Sequence, residues 1–383
     1  MNNQLHQNIL FSFLIAFMGL VVNVFHTVAD RMALSLGQQA AAAGLFISVF
    51  ALGSLASVVL SSGLADRIGK RRVIASGLVV MAGGFLLIWF SSAFAPLLAG
   101  LFLFGFGFAP AEGMGSAVLG DENPAQASRW MNISQAGFGL GAIIGPLLAV
   151  AWLSFNPSWR SLFLMLSLLS LAFLAWVLFS GRERMAPVQG AKKQPLNMFQ
   201  LLKEKRFVVL AVMMFLYLGY ESVAPAYIKQ LFQQSGESEA VAALMISLFW
   251  GAMILGRLLG ALFTGREVKS ITGYSAFAFA GILVLVLART TWLRVLGVAL
   301  YGFGCGPVWP MLVTLAARMF PQRSGAAVGM MMLSSMAGIT LFPFLIGTLP
   351  CNPVITFVFC AILAASVLAV SAWAGKAEST SAR

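Results

Sequence analysis

Long apolar runs separated by short polar segments make up most of the 383-residue chain. A transmembrane helix needs about 20 mostly apolar residues to cross the hydrocarbon core of a bilayer. Twelve stretches are long enough and apolar enough to do so. They cover residues 8–29, 40–62, 73–92, 95–119, 130–153, 160–180, 206–228, 240–263, 271–288, 293–316, 324–347 and 353–374. The pattern predicts an all-α membrane protein with twelve transmembrane helices.

One long polar segment divides the twelve runs into two sets of six. Residues 181–205 and their border with the seventh run carry seven Lys and Arg residues, together with Pro187 and Pro195. We therefore predict an N-terminal six-helix half at 1–180, a cytoplasmic linker at 181–205 and a C-terminal six-helix half at 206–383. Two related halves that rock around a substrate near the midplane are the design of many secondary transporters.

The composition supports lipid as the main solvent. The chain is 60% hydrophobic and 9% charged, whereas soluble domains carry about 25% charged residues. Its net charge of +12 would suggest nucleic acid in a soluble protein. Here the basic residues lie in short loops, where they set membrane orientation. We therefore expect a lipid bilayer, and no nucleic acid, as the partner.

The distribution of basic residues predicts the orientation. With the N-terminus in the cytoplasm, nineteen of the 24 Lys and Arg residues lie on the cytoplasmic face, and the opposite placement reverses this bias. We predict a multi-pass protein of a bacterial inner (plasma) membrane with both termini cytoplasmic. The first run follows no basic segment and no small-residue cleavage site marks it as a signal peptide, so we expect it to be retained.

The densest charge cluster of the first half lies between the second and third runs. It reads Gly63-Leu64-Ala65-Asp66-Arg67-Ile68-Gly69-Lys70-Arg71-Arg72 and resembles the loop 2–3 signature of the major facilitator superfamily. Orientation alone accounts for the basic residues taken singly, but an acid adds little to orientation. The resemblance implies that Asp66 faces the positive end of a neighbouring helix in a state-dependent lock on the cytoplasmic side.

A cytoplasmic gate is the role that we assign to this motif. To it we add Arg257, which ends the eighth run and is expected to snorkel towards water. The gate residues are Gly63, Asp66, Arg67, Gly69, Arg71 and Arg257.

Two further motifs agree with this family. Trp159-Arg160-Ser161-Leu162-Phe163 is similar to the segment that opens the sixth helix in many members. Gly141-Ala142-Ile143-Ile144-Gly145-Pro146 resembles the glycine–proline motif of antiporter branches, and its two glycines, four residues apart, allow close helix contact. Because symporters keep part of this motif, it does not settle the direction of transport.

Short segments in the fourth, fifth, seventh and eighth runs resemble the fucose–galactose–proton symporter branch. Members carry a glutamate in helix 4 and the pattern L-Y-x-G-x-E in helix 7. The corresponding segments are Gly107–Glu112, Asn132–Gln135, Leu216–Glu221 and Leu248–Arg257. The chain departs from the branch at Ala224-Pro225-Ala226, where members often have a tryptophan that could stack on a sugar.

Three of the twelve acidic residues fall inside apolar runs, at Asp30, Glu112 and Glu221. An ionisable group at membrane depth is costly, so each is a candidate functional residue. Small residues surround Glu112, and burial lets a carboxyl group change its protonation state during a transport cycle. We predict proton coupling or substrate contact for Glu112 and Glu221. The alternatives are a structural hydrogen-bonded glutamate at 112 and an interfacial one at 221.

His26 and Asp30 lie four residues apart, on one helix face. Such a pair can relay a proton, and we include both residues in the coupling set. Ordinary solvation near the outer membrane surface is the alternative for Asp30.

Uncharged polar and aromatic residues form the predicted substrate site. The segment Gly304-Cys305-Gly306-Pro307-Val308-Trp309-Pro310 should break the tenth helix, and broken helices expose backbone groups at binding sites. The predicted substrate-binding residues are Asn23, Asn132, Gln135, Tyr217, Tyr220 and Trp309.

The leading interpretation is a proton-coupled secondary active transporter that moves a small polar, sugar-like solute by alternating access. A proton-driven drug or metabolite efflux antiporter is the first alternative, since the 19 methionines would suit adaptable binding. A membrane scaffold, a receptor or a channel is the non-transport alternative. The chain shows no metal set and no Ser/His/Asp grouping, so we expect no enzyme activity. It also has no GxxxxGK(S/T) motif to bind ATP, so we expect no cofactor beyond a proton gradient. We expect a monomer.

The three cysteines, Cys305, Cys351 and Cys360, form neither a CxxC motif nor a metal-ligand spacing. We therefore expect no disulfide and no metal site.

Overall fold

The computed structural model describes residues 3–38, 43–180, 198–347 and 352–381. Within these ranges the chain is α-helical with short connections, and no strand occurs there. Its helices are α1 (Asn3–Ser35), α2 (Ala43–Ile68), α3 (Lys70–Phe90), α4 (Phe94–Glu122), α5 (Ala127–Phe155), α6 (Arg160–Phe179), α7 (Lys205–Glu221), α8 (Ala224–Gln234), α9 (Glu239–Gly260), α10 (Glu267–Leu287), α11 (Thr291–Cys305), α12 (Val308–Met319), α13 (Ser324–Gly347) and α14 (Pro353–Ser381). The all-α fold class is confirmed.

Ten helical stretches in the described ranges are long and apolar enough to cross a membrane, and an eleventh, Leu45–Ser61, is shorter. Each predicted run coincides with a helix, apart from the seventh and tenth, which are each built from two helices. The tenth run was predicted to break, and α11 and α12 confirm this. The prediction of one unbroken helix over 206–228 is wrong, because α7 ends at Glu221 and α8 starts at Ala224.

The predicted linker falls mostly on residues 181–197, which lie outside the described residues. Its last part forms a 3₁₀ helix at Met198–Lys203, directly before α7. Similar 3₁₀ turns, Pro124–Gln126 and Pro321–Arg323, precede α5 and α13. Proline is well placed there, because the first residues of a helix have N–H groups without intrahelical acceptors.

The chain forms two compact units. The first comprises Met1–Glu122, Gly137–Met198 and Phe320–Met330, and therefore includes α1 to α4, most of α5, α6 and the start of α13. Its interior is rich in phenylalanine, and the Phe104 ring centroid lies 4.6 Å from that of Phe50 and 4.7 Å from that of Phe85.

The second unit comprises Asn123–Ala136, Phe199–Met319 and Met331–Arg383. It therefore groups the first turns of α5 with α7 to α12, most of α13 and α14. Tyrosines pack at its centre, where the Tyr220 ring centroid lies 5.4 Å from that of Tyr217 and 6.2 Å from that of Tyr301. The predicted halves at 1–180 and 206–383 stay a prediction.

The glycine motif of α5 does bring two helices into close contact. A Cβ atom on Gly141 would lie 2.0 Å from the Ala16 carbonyl oxygen of α1, and one on Gly145 would lie 2.7 Å from the Leu20 carbonyl oxygen. Only glycine allows backbones to approach this closely.

The Trp-Arg pair that opens α6 anchors that helix to its neighbours in the first unit. Trp159 is buried, and its Nε1 donates to Ser35 Oγ at the end of α1 (3.1 Å). Arg160 Nε donates to the Ser91 carbonyl after α3 (3.0 Å), and its guanidinium lies 4.4 Å from the Trp159 ring centroid. These bonds hold the start of α6 to the end of α1 and to the connection after α3.

Candidate functional site

The break between α11 and α12 leaves backbone carbonyls without helical partners. Proline has no N–H group, so Pro310 cannot donate to the Gly306 carbonyl four residues earlier. The turn at Gly306 and Pro307 also takes the Cys305 carbonyl out of the α-helical pattern. Buried carbonyls of this kind need other donors, because an unpaired one is costly in an apolar setting.

The break between α7 and α8 has a matching cause. Pro225 lies in the first turn of α8, and four residues before it stands Glu221. Proline lacks the N–H group that would bond to the Glu221 carbonyl, and its ring would clash with that carbonyl in a continuous helix. The chain therefore turns at Ser222 and Val223. Pro225 was the sequence signal for this break.

Three side chains donate to carbonyls near the two breaks, and the two tyrosines among them connect one break to the other. The Tyr217 hydroxyl of α7 donates to the Cys305 carbonyl (2.8 Å), and the Tyr301 hydroxyl of α11 donates to the Tyr220 carbonyl. Arg257 Nε of α9 donates to the Gly306 carbonyl (3.1 Å). The two tyrosines are fully buried, so these bonds replace helical ones inside the second unit.

Glu221 lies at the end of α7, beside its break. Its side chain is half-buried and within the electrostatic influence of Arg257. Trp309, on the first turn of α12, is buried at 8% exposure. The second unit therefore brings a carboxyl group, a guanidinium, tyrosines and a tryptophan to one pair of helix breaks.

The first turns of α5 add two amides to this unit. Asn132 and Gln135 are buried, and Asn132 Nδ2 donates to the Ser128 carbonyl (2.8 Å). In the part of the chain that the structure describes, Asn132 Oδ1 and Gln135 Nε2 have no hydrogen-bond partner. The Gln135 backbone carbonyl accepts from Arg257 Nη1 (2.6 Å), so α5 reaches the guanidinium.

Arg257 differs from its predicted behaviour. It was expected to snorkel to the membrane surface, but the side chain is only 5% exposed. Its Nε donates to the Gly306 carbonyl, so the guanidinium is held inside the second unit. Its place in a cytoplasmic gate stays a prediction, whereas snorkelling is wrong.

The other coupling candidates belong to the first unit. Glu112 is half-buried in α4. His26 and Asp30 are exposed on α1, and Asp30 Oδ1 accepts from the Arg31 backbone N–H (2.8 Å). Asn23 Nδ2 donates within α1 to the Gly19 carbonyl (2.9 Å). No hydrogen bond joins His26 to Asp30 in the described ranges, so their relay stays a prediction.

The charged motif forms the connection between α2 and α3. Gly69 there has φ 93°, a left-handed conformation that glycine adopts without steric cost. Arg67 is exposed, and the side chain of Asp66 lies outside the described residues. Arg71 is buried, and its guanidinium donates to Gln7 Oε1 and lies 5.5 Å from the Phe11 ring centroid. Orientation alone therefore does not account for Arg71.

Lys70 also has a local role that the sequence did not suggest. Its Nζ pairs with Asp121 at the end of α4 and donates to Ser324 Oγ at the start of α13 (2.6 Å), while Ser324 Oγ donates to Asp121 Oδ1 (3.2 Å). The three residues form a triad within the first unit. Asp121 and Ser324 were missed because the sequence shows them only as polar residues at helix ends.

Discontinuous helices and buried polar groups in an all-α membrane protein are features of secondary transporters. Comparison with known families specifies this further. Residues 9–343 match the model of the Major Facilitator Superfamily, and the chain belongs to that family.

Relatives of several kinds are similar to this chain. The glucose/mannose transporter GlcP of Bacillus subtilis (strain 168) is 23% identical over 310 residues, covering 77% of this chain and 76% of GlcP. The multidrug resistance protein MdtL of Klebsiella pneumoniae (strain 342) is 24% identical over 326 residues, covering 82% of this chain and 81% of MdtL.

Among solved structures, the transporter FucP in its outward conformation has a TM-score of 0.76 at 16% identity, covering 97% of this chain and 99% of FucP. This likeness confirms the fold.

Proposed function

We propose that this protein is a proton-coupled secondary active transporter of a small polar solute, working by alternating access in a bacterial plasma membrane with both termini in the cytoplasm. The observation that carries the proposal is the pair of helix breaks with Glu221 beside them. Discontinuous helices present backbone groups and polar side chains where substrates and coupling ions bind in transporters. The sugar transport named for GlcP agrees with a polar solute.

Glu221 and Glu112 are the proposed proton carriers. A half-buried carboxyl group exchanges its charged and neutral forms when its access to water changes, because desolvation disfavours the charge. Alternating access produces that change in each cycle. His26 and Asp30 would serve as the outer entry for the proton on α1, and Asn23, Tyr217, Tyr220 and Trp309 would contact the solute.

The proposed cytoplasmic gate contains Gly63, Asp66, Arg67, Gly69, Arg71 and Arg257. Gly69 supports this role through its left-handed turn, which sets the direction in which α3 leaves the loop. The buried Arg71 adds a fixed contact between α3 and α1. A gate needs such rigid ends, so that a small change elsewhere moves whole helices.

Proton-driven efflux is the second candidate, and the multidrug resistance relative favours it. Three consecutive methionines on α13, Met330 to Met332, are buried, and methionine side chains adapt to varied apolar ligands. The two candidates differ in the polarity of the solute and in the direction in which protons and solute move.

A vesicle experiment tests the proposal. The purified protein is first screened by thermal shift against sugars, organic acids and cationic drugs. A stabilising solute is then added outside proteoliposomes that carry a pH-sensitive dye. Symport acidifies the lumen, whereas antiport makes it more alkaline.

Glu112→Gln and Glu221→Gln should each abolish the proton signal, and Glu122→Gln, at the end of the same helix as Glu112, is the matched control. Undiminished proton movement in both glutamine variants would refute the coupling roles.

A further inference from the structure

Arg257 carries a buried charge inside the second unit. Its Nε bonds to the carbonyl of Gly306, which is near the centre of the 29-residue apolar stretch Thr291–Met319. The hydrogen bonds of the guanidinium in the described structure go to two neutral backbone carbonyls, those of Gly306 and Gln135. Burying a guanidinium without a hydrogen-bonded anion is expensive, so this position calls for an anionic partner during function.

Two amides on α5 extend the same polar region. Gln135 offers Nε2 as an unpaired buried donor, and its own carbonyl is the one that Arg257 bonds to. Asn132 precedes it by three residues and therefore lies on the same helix face. Its Oδ1 is an unpaired buried acceptor and lies against α9, 3.1 Å from where a Cβ of Gly260 would stand. A buried donor and a buried acceptor are thus left for a ligand to satisfy.

We propose that Arg257, Gln135 and Asn132 bind a small hydroxy-carboxylate, and that the transported solute is an organic acid of this kind instead of a neutral sugar. The inference rests on the proposed transport function and specifies its substrate class. The carboxylate accepts from Arg257 and Gln135 Nε2, since guanidinium and carboxylate match in charge and geometry. A hydroxyl group of the same molecule donates to Asn132 Oδ1.

When the site is empty, the ionised carboxylate of Glu221 balances the charge of Arg257. When the substrate is bound, Glu221 instead carries the transported proton. The titratable and charged groups around it are Tyr217 and Tyr220 on α7, Tyr301 and Cys305 on α11, and Arg257 on α9. Arg257 is the cation in this set, so it balances either the Glu221 carboxylate or the substrate carboxylate. When the substrate binds, Glu221 takes one proton from water. One anion and one proton then cross together, and the cycle moves no net charge.

Charge transfer separates this assignment from neutral sugar transport. Gluconate and glucose are matched probes, because they differ mainly in the carboxylate. With the purified protein in proteoliposomes, an inward proton gradient should drive gluconate uptake, and an imposed potassium-diffusion potential should leave its rate unchanged. A neutral sugar carried with one proton would instead respond to the potential.

Binding measurements on variants complete the test. Arg257→Gln should weaken gluconate binding by about 30-fold or more, since a buried charged partner is lost. Arg257→Lys should retain part of the affinity. Gln135→Leu removes the second donor without touching the charge, and it should weaken binding even if Arg257→Gln does not fold. Arg129→Gln, an exposed arginine at the start of α5, should bind as the wild type does.

The outcomes are distinct. Potential-driven glucose uptake that survives Arg257→Gln would overturn the hydroxy-carboxylate assignment and leave proton-coupled transport standing. Failure of gluconate to bind the wild-type protein would also overturn it. Potential-independent gluconate uptake that is lost in Arg257→Gln and Gln135→Leu would support it. Gluconate uptake without any proton movement would refute the coupling proposal while leaving the binding site in place.

Discussion

Glu267 accepts a hydrogen bond from Arg318 at 2.7 Å, and this pair repeats the Lys70–Asp121 pair with the charges exchanged. In each case one residue starts a helix that follows a short loop, and its partner lies at the end of the next transmembrane stretch. The start of α3 carries the cation in the first unit, whereas the start of α10 carries the anion in the second. Each unit therefore contains an ion pair at the same place in its helix order, with the acidic and the basic residue exchanged.

The backbone around these pairs repeats as well. Gly265 has φ 83° just before α10, as Gly69 has φ 93° just before α3. The residues before the two proline-led 3₁₀ turns also match, with φ and ψ of −130° and 60° at Asn123 and −132° and 67° at Phe320. Arg318 also donates to the carbonyl of Pro124 in one of these turns (3.2 Å). An internal repeat of this kind is typical of transporter folds.

The two pairs should differ in their contribution to stability. Glu267 is 4% exposed and also accepts from the Gly265 backbone N–H (3.0 Å), whereas Asp121 is 47% exposed. We expect Glu267→Gln to lower the free energy of unfolding by about 2 kcal/mol, because a buried charged hydrogen bond is lost. Asp121→Asn should cost less than about 1 kcal/mol, as exposed ion pairs do. Thermal denaturation of the two purified variants in one detergent measures the difference, and equal losses would contradict it.

Close helix contact at Gly141 leads to a second stability prediction. Gly141→Ala would place a methyl group 2.0 Å from the Ala16 carbonyl oxygen, so α1 and α5 must separate. We expect a loss of about 2 kcal/mol or more, in the range for overpacking of a well-packed core. The matched control is Gly83→Ala on α3, where a Cβ meets nothing within 4 Å. That variant should be neutral or gain up to about 1 kcal/mol from helix propensity. Thermal denaturation of both variants decides the matter, and a Gly141→Ala protein as stable as the control would contradict the contact.

Much of the fold could be predicted because lipid imposes strict limits on apolar length. Apart from the seventh run, which divides into α7 and α8, the runs therefore located the long helices of the described ranges, and Gly306 with Pro307 located the break in the tenth run. The break at Ser222 was missed because the apolar run continues through it. A single proline, Pro225, is the signal that marks it in the sequence. The partners of Arg257 could not be predicted, since its hydrogen bonds reach residues 49 and 122 positions away in the chain.

The contribution of a single tyrosine hydrogen bond at a helix break to the free energy of unfolding should be measurable. Tyr217→Phe removes the donor to the Cys305 carbonyl and keeps the ring packing, so the carbonyl stays buried without that partner. Side-chain hydrogen bonds inside membrane proteins contribute about 0.6 kcal/mol on average and up to about 1.7 kcal/mol. We expect a loss near the upper value, since Tyr217 is fully buried. Tyr227→Phe, a half-buried tyrosine on α8, is the control and should change stability little. Equal unfolding free energies for the two variants would show that the Cys305 carbonyl needs no donor.

Pro225 separates α7 from α8, and its removal tests whether the break serves transport. In Pro225→Ala the new N–H group can donate to the Glu221 carbonyl, so the two helices should join through Ser222 and Val223. We expect slower amide hydrogen exchange at residues 221–225, an unchanged or higher melting temperature, and a loss of transport of about tenfold or more. Functional sites often sacrifice stability in this way.

Pro146→Ala is the control, because Pro146 already lies inside the continuous helix α5. Uptake is measured with the solute that the thermal-shift screen identifies. A Pro225→Ala protein that exchanges slowly yet transports at the wild-type rate would show that the break is dispensable, and Glu221 would then have to act from an unbroken helix.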